Sequence, residues 1–227
     1  TMPAFQGAVD LGFEYVETDV HATADGVLVA FHDDRLDRVT NKVGKVSELS
    51  WAEVKTALVD GQEPIPRFSE LMRAFPHLKV NIDPKSNQAV EPLIRELREL
   101  DALDRVCVGA FSDARLKRLH GEFGDAVCLS MGPIEVVKAR LCSWGLPVGK
   151  FRARAAQVPI SQGPVRIIDD RFVEKMHARG IAVHVWTIDD ASEMNWLLDV
   201  GVDGIMTDLP AVLLDVMTER GLWPQGG

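Results

Sequence analysis

Four acids and two histidines stand within the seventeen residues ETDVHATADGVLVAFHD, which run from Glu17 to Asp33. Side chains along a strand alternate between faces, so Tyr15, Glu17, Asp19 and His21 share one face while Val16, Thr18 and Val20 share the other. Glu17 and Asp19 then lie roughly 7 Å apart along the strand. The stretch NIDPK repeats the arrangement, with Asn81, Asp83 and Lys85 on one face and Val80, Ile82 and Pro84 on the other. Three carboxylates, Glu17, Asp19 and Asp83, converging in a low-dielectric cavity repel one another unless something neutralises them. A hard divalent cation with oxygen ligands, Mg²⁺ or Ca²⁺, is the natural solution. Lys85 either balances part of that charge or holds an anionic substrate. His32 ends an apolar run and is followed by Asp33 and Asp34, so an acid can orient it for general acid–base work.

Each signal has an ordinary counterpart. Paired acids at i, i+2 more often lie on a solvated strand face, and a strand-end histidine is more often packed or solvent-facing than catalytic. His21, His77, His120 and His177 read as structural or solvent-facing, with His184 open. Trp186, which shares a face with His184 in AVHVWTI, is more often core than substrate wall. Convergence of these groups on one face is what makes a site of them.

The elements that must position them alternate regularly. The strand-like runs YVETDVH, VLVAFHD, LKVNIDPK, RVCVGAF, AVCLSM, AAQVPI, AVHVWTI and DGIMT are interleaved with helical patterns such as FSELMRAF, AVEPLIRELREL and SDARLKRLHGEF. Such alternation predicts βαβ units and a parallel sheet. At 227 residues the leading architecture is a single (β/α)₈ TIM barrel over residues 1–227, with active-site groups at the ends of several strands. A doubly wound open sheet is the runner-up, but no G-x-G-x-x-G follows the early strands. Pro84 cannot donate to a central ladder and predicts that its strand ends there. Residues 34–66, polar and rich in turn formers, break the rhythm and read as an insertion over one end of the barrel. Thr1 is placed as the N-cap of a first helix, so the sequence opens on the lip of that helix.

Composition narrows the partners. Apolar residues make up 46%, charged residues 26%, and the net charge is −9, an ordinary soluble balance that argues against nucleic acid or an anionic membrane surface as partner. No apolar run approaches the ~20 residues of a membrane span, so no stable membrane anchor is expected. Cys107, Cys128 and Cys142 lack disulfide or metal spacing and read as reduced thiols, Cys107 and Cys128 in strands, which predicts a cytoplasmic protein.

The run GFEYVETDVHATADGVLVAFHDDRLDRVTNKVGKV resembles the glycerophosphodiester phosphodiesterase family. The carriers are E-x-D on one strand, D-G in the turn, H-D after the next strand and an R-x-T insertion with glycine. NIDPK, FS, VHVWTID and GVDGIMTD follow in the family's order, so the resemblance covers nearly the whole chain. It implies a TIM barrel that hydrolyses glycerophosphodiesters to glycerol 3-phosphate and an alcohol, with Glu17, Asp19 and Asp83 as metal ligands and His32 as one half of an acid–base pair. Lys85 would contact phosphate, and Phe111 and Trp186 would wall the glycerol or alcohol side. Asp83 stands where the family has Glu, one methylene longer. The family's first strand, with its His-Arg-Gly, has no counterpart in the sequence; the expectation is a first strand upstream of Thr1. The alternatives are phospholipase D-like action on lysolipids and a non-catalytic barrel that binds metal and phosphodiester.

Overall fold

Helix α1 (Met2–Asp10) leads into β1 (Tyr15–Ala22), the strand that carries Glu17, Asp19 and His21. Thr1 does occupy the N-cap of α1, but its side chain makes no capping hydrogen bond. β1 turns through Thr23–Val27 into β2 (Leu28–Ala30). Thr23 Oγ1 donates to Asp25 Oδ1 (2.6 Å) and accepts from the Val27 amide (3.0 Å), while Gly26 sits at φ +79°, a left-handed conformation that costs glycine little. β2 pairs antiparallel with β1. The VLVAFHD run is therefore the second arm of a hairpin and not a parallel barrel strand. A connection this short cannot make the crossover that parallel pairing needs.

The computed structural model describes residues 1–223, which divide by their contacts into two units, residues 1–129 and residues 130 onward. In the first, α2 (Trp51–Val54), β3 (Leu58–Val59) and β4 (Glu63–Pro64) lie in the irregular stretch after the hairpin. That stretch buries its own small core of Leu36, Val46, Val54, Ala57 and Ile65 against Val29 of β2. There follow α3 (Phe68–Ala74), β5 (Lys79–Pro84), α4 (Val90–Glu99), β6 (Val106–Val108), α5 (Asp113–Phe123) and β7 (Cys128–Leu129). The sheet runs β2-β1-β5-β6-β7, parallel from β1 onward. β5 ends at Pro84 as its missing N–H requires.

Register decides which residues meet. Glu17 pairs with Asn81 and Asp19 with Asp83, and Asn81 is paired in turn with Cys107 of β6. The alternate residues Val20, Val80, Ile82, Val106 and Val108 join the core, with Val90, Leu93, Ile94 and Leu97 of α4 and Leu116 and Leu119 of α5. The α4 residues recur at helical spacing, so one stripe of that helix covers the apolar face of the sheet. Glu17, Asp19, Asn81 and Asp83 are thus left on the opposite face. Arg105 ties β6 to the end of α3, donating to the carbonyls of Met72, Phe75 and Leu78 at 2.8, 3.2 and 3.2 Å. Met72 and Phe75 lie at the C-terminal end of α3, where a cation is well placed.

In the second unit, α6 (Pro133–Ser143) precedes β8 (Ala155–Val158), the small hairpin β9 (Ser161–Gln162) and β10 (Val165–Arg166), α7 (Asp170–His177), β11 (Ala182–Val185), α8 (Ala191–Val200), β12 (Gly204–Ile205) and α9 (Pro210–Glu219). Its parallel sheet runs β12-β11-β8, and Ser130 makes a further parallel bridge to Ala155. Val183 and Val185 are fully buried with Phe172, Met176, Met194 and Leu197. His177 has the structural place expected of it: its Nε2 lies 2.7 Å from Asp203 Oδ2, which also accepts from the Val183 amide at 2.7 Å.

Candidate active site

Asp19 and Asp83 face each other across β1 and β5, and Lys85, just past the end of β5, links them. Its Nζ donates to Asp19 Oδ1 at 2.7 Å and to Asp83 Oδ2 at 3.0 Å. The side chain of Asp19 is only 8% exposed. Burial pushes its carboxyl above the usual range, against the pull of the Lys85 hydrogen bond. Burial likewise weighs against the Lys85 ammonium, but the Asp19 hydrogen bond and the charge of Asp83 outweigh it and hold its pKa above the ordinary lysine value. The lysine is therefore a permanent cation at the end of the sheet, balancing the acids as its position in NIDPK suggests.

His32 follows β2 and reaches the same place from the neighbouring strand. The Phe31 amide donates to the Asp19 carbonyl at 3.0 Å, which fixes the end of the hairpin beside the acid. His32 Nε2 then stands 3.7 Å from Asp19 Oδ2, and its side chain is 74% exposed. The other ring nitrogen, Nδ1, lies 2.8 Å from Asp33 Oδ1. Asp33, and not Asp34, is the acid that orients it. Asp33 is itself gripped by Arg38, whose Nε donates to Oδ2 and whose second guanidinium nitrogen donates to Oδ1, both at 2.7 Å. That fork, then the His32 bond, holds the Asp33 carboxyl well below its usual range. A permanently charged acceptor at Nδ1 places the proton there and leaves Nε2 to face the site.

His21 is buried and its Nε2 lies 3.1 Å from the His32 carbonyl oxygen, so Nε2–H donates and the backbone of His32 is pinned from below. It is structural, as the sequence suggests, but for the benefit of the site. Phe111, in the loop after β6, is 67% exposed and its ring centre is 5.9 Å from Lys85 Nζ. Glu17 shares the face of Asp19 one row further down β1 and is exposed. Trp186 belongs to the second unit, half-buried just beyond β11, where its amide donates to the Val158 carbonyl at 3.3 Å. His184, one row before it, is packed: its Nδ1 is 3.3 Å from Gln157 Nε2, and its ring leaves no room for a Cβ on Gly204. Burial lowers its pKa. The first unit thus brings Asp19, Asp83, Lys85, His32 and Phe111 together, and it adds Arg38, which sequence reasoning passed over. The only signal for Arg38 was its place in the R-x-T insertion.

A divalent cation can be tested against these residues. Among the described residues, no three His, Cys, Asp or Glu side chains are gathered tightly enough to form a metal site as they stand. Asp83 Oδ1, however, is buried and has no hydrogen-bond partner, a costly state for a carboxylate oxygen unless a cation or donor meets it. Oxygen donors of carboxylate type suit Mg²⁺ or Ca²⁺. The residues fit such an ion.

The model of the glycerophosphoryl diester phosphodiesterase family matches residues 1–212. A probable glycerophosphodiester phosphodiesterase of Mycobacterium tuberculosis is 38% identical over 98% of this chain and 86% of its own length. A lysophospholipase D of Mus musculus is 27% identical, covering 96% of this chain and 81% of its own. Among solved structures, a putative glycerophosphoryl diester phosphodiesterase from Silicibacter pomeroyi superposes with a TM-score of 0.80 at 19% identity, covering 98% of this chain and 89% of that one. An Oleispira antarctica phosphodiesterase in complex with the product sn-glycerol-3-phosphate gives 0.79 at 20% identity, covering 96% and 90%. These likenesses show the fold class, the α/β TIM-barrel type with parallel strands.

Proposed function

The chain belongs to the glycerophosphoryl diester phosphodiesterase family, and from that premise we propose that it hydrolyses glycerophosphodiesters to glycerol 3-phosphate and an alcohol with a divalent cation bound. Asp19 and Asp83 would hold the ion, Asp83 through its unpartnered Oδ1, and Glu17 would complete the set from the row below. When bound, Mg²⁺ or Ca²⁺ supplies charge neutralisation to the phosphoryl oxygens. The observation that carries the reading is the orphaned, buried Asp83 Oδ1 beside a lysine that already bridges Asp83 to Asp19.

The chain's own groups divide the remaining work. Lys85 binds a non-bridging phosphoryl oxygen and stabilises the charge that grows there. His32, its Nδ1–H held by Asp33, moves a proton at Nε2 on one side of the phosphorus. Arg38 keeps Asp33 ionised and fixed, so that the ring presents the same tautomer through the cycle. Phe111 covers the glycerol or alcohol side near Lys85. The test is metal removal: EDTA should abolish hydrolysis of glycerophosphocholine, and added Mg²⁺ or Ca²⁺ should restore it. Full activity in exhaustively metal-free buffer would sink the cation.

A second reading keeps the chemistry and enlarges the substrate. The 27% identical mouse lysophospholipase D motivates action on lysolipids. Among the described residues no helix is long and apolar enough to cross a membrane, and the net charge of −9 disfavours an anionic lipid surface. The small deacylated diester is therefore preferred. Initial rates on glycerophosphocholine and lysophosphatidylcholine decide between the two.

A further inference from the structure

The last strand residue before Lys85 is Pro84, buried at the end of β5. Its ring removes a backbone donor but leaves a carbonyl that still needs a partner. Carbonyls two residues apart on a strand point to the same side. That of Ile82 accepts the Gly109 amide at 3.0 Å, so the Pro84 carbonyl also faces the β6 side. β6 ends at Val108, however, and the chain turns off into α5. The donor comes instead from α5: Arg115 Nη1 reaches the Pro84 carbonyl at 2.9 Å, and its Nε donates to Asn87 Oδ1 at 3.1 Å. We propose that Arg115 is a positioning residue for Lys85, holding the peptide plane from which that lysine leaves the sheet. The assignment rests on the hydrolytic reading, in which Lys85 meets phosphate.

The Pro84–Lys85 peptide is gripped at both ends. Its carbonyl is held by Arg115, and its N–H, that of Lys85, donates to the Val20 carbonyl of β1 at 3.1 Å. Asp19 and Asp83 are register partners inside the paired strands, whereas Lys85 lies one residue past the end of β5. The ladder therefore fixes the acids, and the lysine needs a further anchor. Just beyond it, the Ser86 side chain accepts from the Ala89 amide at 3.3 Å and Asn87 opens a single 3₁₀ turn. The Nε bond of Arg115 ties that turn to the same guanidinium. A rotation of the peptide would move the lysine stem while its ammonium stayed drawn to Asp19 and Asp83, at 2.7 and 3.0 Å. Charge balance would survive, and the placement of Nζ against a phosphoryl oxygen would not. A guanidinium suits the task because its planar fork spans both acceptors and keeps its charge. Arg118, on the same helix, is different: its partners are Glu91 of α4 and Glu122 of its own helix.

Arg115→Met keeps the apolar stem and removes the donors. Hydrogen exchange, read residue by residue by NMR, should show the Lys85 amide exchanging about tenfold faster. The Gly109 amide, bonded to Ile82, should exchange as before. On glycerophosphocholine the same variant should lose about 10- to 100-fold in kcat. KM should stay near its wild-type value, because Lys85 acts on charge that grows in the transition state. In a Lys85→Met background the substitution should cost almost nothing more. Arg115→Lys still offers a donor to Pro84 and should recover part of both effects; it also carries the test should the methionine variant fold poorly. Arg118→Met is the control for the docking of α5 and should leave exchange and kcat as they are. An unchanged Lys85 amide, equal loosening at Gly109, a full kcat loss in the Lys85→Met background, or the same losses in Arg118→Met overturns the proposal. The exchange measurement needs no activity: a wild type inactive on glycerophosphodiesters would overturn the hydrolytic reading, whereas the Lys85 amide decides the positioning by itself.

Discussion

At His32 the arguments for catalysis and for packing make different predictions. The ring is largely exposed and packs against little, yet it is held through Asp33 by the bidentate grip of Arg38. A general acid or base typically contributes ~10²–10⁴-fold, so His32→Ala should lower kcat on glycerophosphocholine by about that factor while Tm and cation affinity barely change. If His32 protonates the leaving alcohol, a p-nitrophenyl diester should suffer much less from the mutation; if it is the base, both substrates should suffer alike. Arg38 acts through Asp33, so Arg38→Met should cost about 10- to 100-fold in kcat and leave KM near its wild-type value. In a His32→Ala background the same substitution should cost almost nothing, because its effect runs through the ring. An undiminished Arg38→Met effect in that background would show that Arg38 serves the loop and not the histidine.

Helix α4 contains a local conflict that bears on pH. Glu96 lies on its buried face beside Leu93 and Leu97, with Oε2 lacking a hydrogen-bond partner. Burial raises its pKa to about 7. An acid whose folded pKa exceeds its unfolded value binds more protons in the folded state, so stability falls as pH rises from the unfolded pKa towards about 7. Glu96→Gln removes that titration. Its Tm relative to wild type should therefore be higher at pH 8 than at pH 4.5, as measured by thermal melts across that range. A pH-independent difference would mean that Glu96 finds a partner when it ionises. Arg105 makes the opposite kind of contribution at the end of α3. Arg105→Met removes the donor shared by the Met72, Phe75 and Leu78 carbonyls, of which Phe75 keeps the Leu78 amide, and should cost about 2 kcal/mol in urea unfolding.

Across the molecule, the proposed cation ties catalysis to stability. An ion that binds only the folded chain raises its stability by mass action, about 2.7 kcal/mol at a hundred times Kd. Mg²⁺ or Ca²⁺ should therefore raise Tm in wild-type protein, and Asp83→Asn should lose both that shift and most of the activity. The Asp83 variant separates the cation from the lysine: Lys85 still has Asp19 as a partner at 2.7 Å, so loss of the cation response cannot be put down to a freed ammonium.

Much of this was legible along the chain, because alternation within a strand is a local property. The face shared by Glu17, Asp19 and His21, the face of Asp83 and Lys85, and the end of β5 at Pro84 all follow from a two-residue period and from proline's missing donor. The helical stripe of α4 follows equally from a 3.6-residue period. Relations between strands are different, since no local pattern states register or direction. The VLVAFHD run looked like one more parallel strand, and only its antiparallel pairing shows how His32 is returned to the side of Asp19. The preference for Asp33 over Asp34, the Arg38 fork and the meeting of Cys107 with Cys128 depend in the same way on contacts between segments. The sequence by itself determined which side chains share a face; tertiary structure decided which faces, rows and charges meet, because pairing and long-range packing are set by the fold as a whole.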